Sequence, residues 1–375
     1  MSPSTEVHSL VLSLATACVA ALPLAAQDEP PPTAVTTNDV DIHDPVLIEA
    51  NGAYYLFGTG PGIITWSSSD LQSWDRLDRV FEETPEWVMG VLPDFGGSMW
   101  APDIIEREGT FYLYYSVSSF GRNRSAIGVA TNTTLDPEDP AYEWVDHGEV
   151  VASAPGRDMW NAIDAHIVFD QDGTPWMSFG SHWSGIKLVR LDASLTSVAE
   201  PQEWHTIAAR HRFWMLDERD AGDSANPELD YEALYPERLL ELNRPPMSEN
   251  SAIEAPVIFR REGWYYLFVS WDRCCSGEYS TYKVLVGRSR DIQGPYLDRE
   301  GEDLKWGGGS LVVHGFGEDS ERWYAGGHND AVTLYSTEYL VYHAYDKSDD
   351  GASKLVLREI DWDEHGWPSV EADAQ

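Results

Sequence analysis

The strongest constraint on the fold is a unit that recurs five times. Asp44 precedes PVLIEANGAYYLFGTG, Asp103 precedes IIEREGTFYLYYSVSSFG, Asp164 precedes AHIVFDQDGTPWMSFGSHWSG, and Glu254 precedes APVIFRREGWYYLFVSWD. In a weaker fifth instance Gly326, Gly327 and His328 stand ahead of AVTLYSTEYLVYHAYD. Each unit reads as a polar residue, a short apolar strand, a Gly- or Asp-centred turn and an aromatic strand, which is hairpin chemistry. The first two intervals are about 60 residues and the later ones longer, a period that suits a four-stranded blade with its loops. Five units predict an all-β, five-bladed β-propeller. A single loop carboxylate commonly does no more than cap a turn. Repeated at the head of successive units, Asp44, Asp103, Asp164, Glu254 and His328 read as a ring at the mouth of one central cavity.

Composition narrows the partners. The chain has 375 residues, with 25 Lys and Arg against 63 Asp and Glu, a formal net charge of −38. Nucleic-acid binding needs clustered cations, so that class is excluded, and polyanionic substrates are repelled. Such acidity suits a salty medium, where self-repulsion is screened. Sixteen Trp and eighteen Tyr supply rings for packing between blades and, where exposed, for stacking on sugars.

The N-terminus reads as a secretion signal over residues 1–26, apolar and Ala-rich from Leu10 to Ala26, although it lacks a basic start. Cleavage after Ala26 leaves a Pro-rich linker over 27–38 and a secreted or periplasmic domain over 39–375. Acylation at Cys18 is the alternative, and without it no membrane attachment is expected. Cys274 and Cys275 then remain, either as two buried thiols or, as secretion favours, joined to each other.

Along the chain, Trp100 sits beside the second repeat, and Ser118 to Gly121, with Phe120, reaches the same rim. Asn161 leads into Asp164, and the run from Ser181 to Gly185, with Trp183, returns toward the cavity. The pattern breaks between 201 and 250, an acidic stretch with a helical segment at Tyr231 to Leu242. It lacks the apolar mass for its own core and reads as an insert. The closing run, Leu355 to Pro368, is expected to pair with the first blade and shut the ring.

HDP at 43–45, WAPDI at 100–104, SxFG at 118–121, NAID at 161–164 and IEAP at 253–256 resemble glycoside hydrolase family 43. CC at 274–275 with STYKVLVGRS, GHN at 327–329, YHAYD at 342–346 and WDxxGWP at 362–368 resemble its endo-α-1,5-L-arabinanase branch. The resemblance covers roughly residues 39–370 outside the insert. It implies a five-bladed propeller that hydrolyses plant-type arabinan or arabino-oligosaccharides with inversion, as a monomer. It makes Asp44 the general base, Glu254 the general acid and Asp164 the residue that orients the acid and raises its pKa. It makes His328 a metal-linked residue, with Ca²⁺ as the implied ion, and places Trp100 and Phe120 against arabinose rings. Asn161, Ser181 and Trp183 complete the expected substrate contacts. The physics agrees: inversion needs two carboxyl groups in different protonation states, about 6.5–9.5 Å apart to admit a water.

Two departures bear on the mode of cleavage. The insert is longer than the resemblance implies, and GGHND replaces an expected Pro-containing histidine motif. An exo-acting arabinofuranosidase or a β-xylosidase is therefore the near alternative. A non-catalytic carbohydrate-binding propeller would lack one of the three acids, and all are present. A lactonase propeller would need several metal ligands where this ring offers one histidine.

Overall fold

The computed structural model describes Met1 and residues 40–210, 252–313 and 322–370. The expected signal and linker, and nearly all of the insert with its helix, lie outside the described residues. Among the described residues no helix is long and apolar enough to cross a membrane.

Short β-branched and aromatic runs separated by tight turns fold as antiparallel meanders. The first blade takes β1 (Val46–Ala50), β2 (Ala53–Gly58), β4 (Ile64–Ser68) and β5 (Asp75–Leu77). The second joins β6 (Ser98–Arg107), β7 (Thr110–Val117), β8 (Ser125–Asn132) and β9 (Val145–Ser153), with β3 (Gly60–Pro61) added at its edge. The third holds β10 (His166–Phe169), β11 (Pro175–Phe179), β12 (Ile186–Arg190) and β13 (Trp204–Ala208). The fourth holds β14 (Ile253–Arg261), β15 (Trp264–Trp271), β16 (Lys283–Ser289) and β17 (Ser310–Val313). The fifth has β18 (Trp323–Leu334), β19 (Thr337–Asp346) and β20 (Ala352–Glu359). The turn between the first two strands of a blade is made at Asn51-Gly52, Glu108-Gly109 and Glu262-Gly263, each with two positive φ angles. That backbone matches the twist of the strands it joins.

The core is not central. Among the described residues it consists of five large apolar clusters, each shared by two neighbouring blades, and a small sixth of Tyr282, Ala325 and Tyr345. Phe57 and Met99 belong to the cluster of blades one and two, Val129 and Phe179 to that of two and three, and Leu188 and Leu267 to that of three and four. Phe268 and Trp323 join blades four and five, and Leu56 and Leu357 join five to one.

Closure follows the expected route in part: the start of the closing run, at Leu355, pairs with the segment that opens the first blade, and the rest does not. The amide of Ile42 donates to the Ser353 carbonyl at 3.1 Å, and that of Leu355 donates to Val40 at 3.0 Å. Residues 40–42 thus lie along the free edge of β20, so the segment leading into the first blade completes the fifth. The residues after β20 form a separate hairpin, β21 (Asp361–Trp362) with β22 (Pro368–Ser369). Trp362 and Trp367 hold it against the cluster of blades four and five, Trp362 packing edge-on to Tyr266 at 4.8 Å between centroids. An indole pair gains more from that apolar seam than from edge pairing with the first blade.

The inner strands share one irregularity. Asp44, Ala101, Asp164, Ala255 and His328 all adopt left-handed backbone, with φ of 54°, 43°, 59°, 51° and 51°. Pairing skips between Trp100 and Asp103, between Glu254 and Val257, and between Gly327 and Asp330. These skips are β-bulges, which re-aim side chains where pairing stops. In blades one and three regular pairing starts two residues after the left-handed position, at Val46 and His166. The true repeat position is therefore Asp44, Ala101, Asp164, Ala255 and His328. This corrects the expected ring: Glu254 lies one residue ahead of that position and Asp103 two beyond it.

Ile42 is 2% exposed and packs in the closing cluster. Ile42→Ala should lower unfolding free energy by about 2–4 kcal/mol in urea titration. An unchanged midpoint would mean that residues 40–42 do not secure the ring.

Candidate active site

A bulged residue turns its backbone N–H out of the ladder, and a buried amide needs an acceptor. In four blades the left-handed residue finds it on, or just after, the second strand of the preceding blade. Ala101 N donates to Thr59 Oγ1 at 2.8 Å, Asp164 N to Ser116 Oγ at 3.0 Å, and His328 N to Ser270 Oγ at 2.8 Å. Asp44 N donates to His343 Nδ1 at 3.1 Å. At Ala255 the pattern changes: its amide donates to the carboxylate of Asp164, Oδ2, at 3.1 Å. That substitution draws Asp164 to the backbone beside Glu254. The three acids are 6–9% exposed, buried on all sides but the cleft.

Asp44 is surrounded by donors. Thr59 Oγ1 donates to Oδ2 at 2.5 Å, while His43 Nδ1 and His328 Nδ1 lie 2.7 and 3.0 Å from Oδ1. Burial alone would push its carboxyl up. The charges that His328 and His43 acquire in acid, with the His43 hydrogen bond, more than offset this and hold it far below the carboxylate range. His43 is raised: burial lowers it, and the charge and hydrogen bond of Asp44 more than restore it. Burial pushes His343 well below its ordinary value, so that ring is neutral.

Glu254 receives two hydroxyls, Tyr282 Oη on Oε1 and Ser181 Oγ on Oε2, both at 2.8 Å, with His182 Nε2 4.0 Å from Oε2. Asp164 is pushed well above its ordinary value, first by burial and then by the facing charges of Glu254 and Asp44, against the pull of the Ala255 amide. A proton is thus retained beside Glu254, opposite a carboxylate that stays ionised. This division is what acid–base cleavage of a glycosidic bond requires.

The expected substrate residues divide. Phe120 is 80% exposed and Trp100 partly exposed at the rim, both free to meet a ring. Asn161 is 3% exposed, and its Oδ1 accepts Ser125 Oγ at 2.6 Å, which in turn pairs with Ser118 at 2.7 Å. It braces the Phe120 loop. Ser181 serves Glu254, and Trp183 is buried. Tyr282, His343 and Thr59 were missed. Only the alternation of His343 and Tyr345 in YHAYD, placing both on one face of β19, hinted at a role. Cys274 and Cys275 form a disulfide.

Below the acids, the residues that follow each left-handed position line a channel. Asp103, His166, Asn329 and Asp330 line it together with Asp164 and His328. Asp103 Oδ1 meets His166 Nδ1 at 3.2 Å, and Oδ2 accepts the Ile167 amide at 2.8 Å. Asp330 is pushed up to about 6 by burial and by the charge of Asp103, with His166 opposing. Among the described residues, both polar atoms of the Asn329 amide are buried without a protein partner. One imidazole, nearby carboxylates and an orphaned amide fit a cation that keeps most of its water, and hard Ca²⁺ accepts such oxygen-rich surroundings. His43, Asp44 and His343 also bring one donor atom each within 4.8 Å of one another. The His343 lone pair there is taken by the Asp44 amide, so this trio is not an open metal site.

A five-bladed propeller with paired carboxyl groups over its axis defines a glycoside-cleaving class of enzyme. The family model described as glycosyl hydrolases family 43 matches residues 36–368, and the chain belongs to that family. The extracellular exo-alpha-(1->5)-L-arabinofuranosidase of Cellvibrio japonicus is 46% identical over 88% of this chain and 87% of its own length. The extracellular endo-alpha-(1->5)-L-arabinanase 1 of Bacillus subtilis is 36% identical over the same shares. The structure of the Cellvibrio cellulosa alpha-L-arabinanase complexed with arabinohexaose superposes with a TM-score of 0.77 at 45% identity, covering 88% of this chain and 96% of that one.

Asp103 pairs below the mouth, so its loss should act on stability. Asp103→Ala strips acceptors from His166 and the Ile167 amide and should cost about 3 kcal/mol in urea unfolding. A cost under about 1 kcal/mol would contradict the pairing.

Proposed function

We propose that the chain is a secreted inverting hydrolase of α-1,5-linked L-arabinan. The observation that carries the reading is the contrast between Asp44, held ionised by its donors, and Asp164, pushed toward keeping its proton beside Glu254. Asp44 accepts a proton from water as that water attacks the anomeric carbon. Glu254 gives a proton to the departing glycosidic oxygen, and the old C–O bond breaks as the new one forms on the opposite face. Asp164 holds the acid's neighbourhood through the Ala255 amide and supplies the like charge that favours a retained proton. Trp100 and Phe120 offer ring faces to arabinose units. His328 would hold a hydrated Ca²⁺ beside Asn329, and such an ion would offset the crowded negative charge. The extracellular names of both relatives support secretion.

Endo cleavage is the expectation from the motifs, and the Bacillus relative supports it. The higher identity to the exo-acting Cellvibrio relative supports release from chain ends, the second reading.

Debranched arabinan should yield short products with wild type, and Glu254→Ala and Asp44→Ala should each lose about 10²- to 10⁴-fold in kcat. Mixed oligosaccharides indicate endo cleavage; arabinose or one short product indicates exo. A folded wild type that releases nothing sinks the arabinan reading. For the ion, Ca²⁺ added to EDTA-treated protein should raise Tm, by the equivalent of about 2.7 kcal/mol at a hundredfold excess over Kd. Asn329→Ala should blunt the rise, and a Tm indifferent to Ca²⁺ would count against the site.

A further inference from the structure

Three of the amides that leave the ladder at the left-handed positions are accepted by hydroxyls, those of Thr59, Ser116 and Ser270. The Asp44 amide alone is accepted by an imidazole, His343, which is fully buried. A hydroxyl can accept here and turn its own proton elsewhere. A neutral imidazole that accepts at Nδ1 must carry its proton at Nε2. That Nε2 lies 3.1 Å from Tyr345 Oη. The same phenol oxygen accepts the Cys275 amide at 2.7 Å, within the disulfide-joined pair, and lies 3.1 Å from His43 Nε2. Ser280 borders the phenol too, and its own oxygen accepts the Ser276 amide.

A phenol has two acceptor positions and one proton. His343 and Cys275 fill the acceptor positions, which leaves the phenol proton for His43 Nε2. His43 must then be protonated at Nδ1, the atom 2.7 Å from Asp44 Oδ1. With the Ser280 hydroxyl turned away from the phenol, the count closes with each remaining polar atom used once. With a proton on both nitrogens of His43, three N–H groups would converge on one oxygen. The two imidazoles also lie in contact, with centroids 3.9 Å apart and planes tilted by 31°, so neither ring can turn without moving the other.

We propose that Tyr345 is a positioning residue for Asp44: anchored by the Cys275 amide, its hydroxyl fixes His343 and His43 in opposite tautomers. One ring then accepts the Asp44 backbone N–H while the other donates to its carboxylate. The backbone and the carboxyl of Asp44 are thereby oriented through a single phenol. The loop that supplies the anchor also leads into Tyr282, which donates to Glu254, so the supports of both carboxyl groups run through residues 275–282. The effect on turnover rests on the hydrolase reading above; the tautomer assignment does not.

The test combines kinetics of Tyr345→Phe with long-range ¹H–¹⁵N correlation of histidine rings at alkaline pH, where His43 is neutral. The His43 and His343 signals are assigned by His43→Asn and His343→Asn. In wild type, His43 should carry its proton at Nδ1 and His343 at Nε2. In Tyr345→Phe this fixed pattern should be lost, and kcat on arabino-oligosaccharides should fall at least tenfold with KM changed less than twofold. A merely structural tyrosine would lower Tm and leave both tautomers and kcat in place, and that result overturns the proposal. Should the variant fail to fold, the wild-type spectrum decides: a proton at Nδ1 of His343 or at Nε2 of His43 refutes the network. A wild type inactive on arabinan would overturn the hydrolase reading, and the spectrum would still judge the tautomers.

Discussion

Everything at the axis depends on where a handful of buried amides find acceptors. Left-handed backbone at a non-glycine residue is disfavoured and persists only where its surroundings hold it. Here the surroundings are a neighbouring blade. Each bulged amide reaches across an inter-blade seam, so the seam fixes the inner strand and the inner strand aims the cleft residues. In the fourth blade this arrangement changes. Asp164 replaces the hydroxyl as acceptor, and one carboxyl group thereby both holds the backbone beside Glu254 and is pushed up by the charge of Glu254.

The electrostatics of the cleft follow from the same placement. Asp44 and Asp164 occupy the same position of two different blades, both buried, both left-handed, yet their proton affinities move in opposite directions. Burial acts alike on the two and cannot separate them. The neighbours do: three imidazoles and a hydroxyl surround Asp44, whereas Asp164 faces two carboxylates. A ring of blades lets each position draw its neighbours from a different strand, so one repeated backbone geometry supports two opposite charge states.

Much of this was legible in the sequence, and the gaps have physical causes. The five blades were readable because a hairpin needs aromatic and β-branched residues around a Gly turn, and that composition returns five times along the chain. The residues at the acid positions were readable because a carboxylate beside a buried strand is conspicuous. The bulge was not, since a skipped partner leaves no trace in composition. Asp103 therefore looked equivalent to Asp44, although the skip sends it into the channel with His166. Asn161 and Ser181 carried polar side chains at the right places in the chain, and only packing revealed that each already had a partner. His343 acts on a residue 299 positions away, a relation that local pattern cannot express.

The seam that closes the ring has one more implication. Residues 40–42 complete the fifth blade, and the chain passes from them directly through His43 to Asp44. The latch of the propeller and the cleft carboxylate Asp44 are thus successive links of one short segment. Release of residues 40–42 from β20 would therefore loosen the backbone that carries Asp44. The geometry of the cleft and the closure of the ring are joined at a single point.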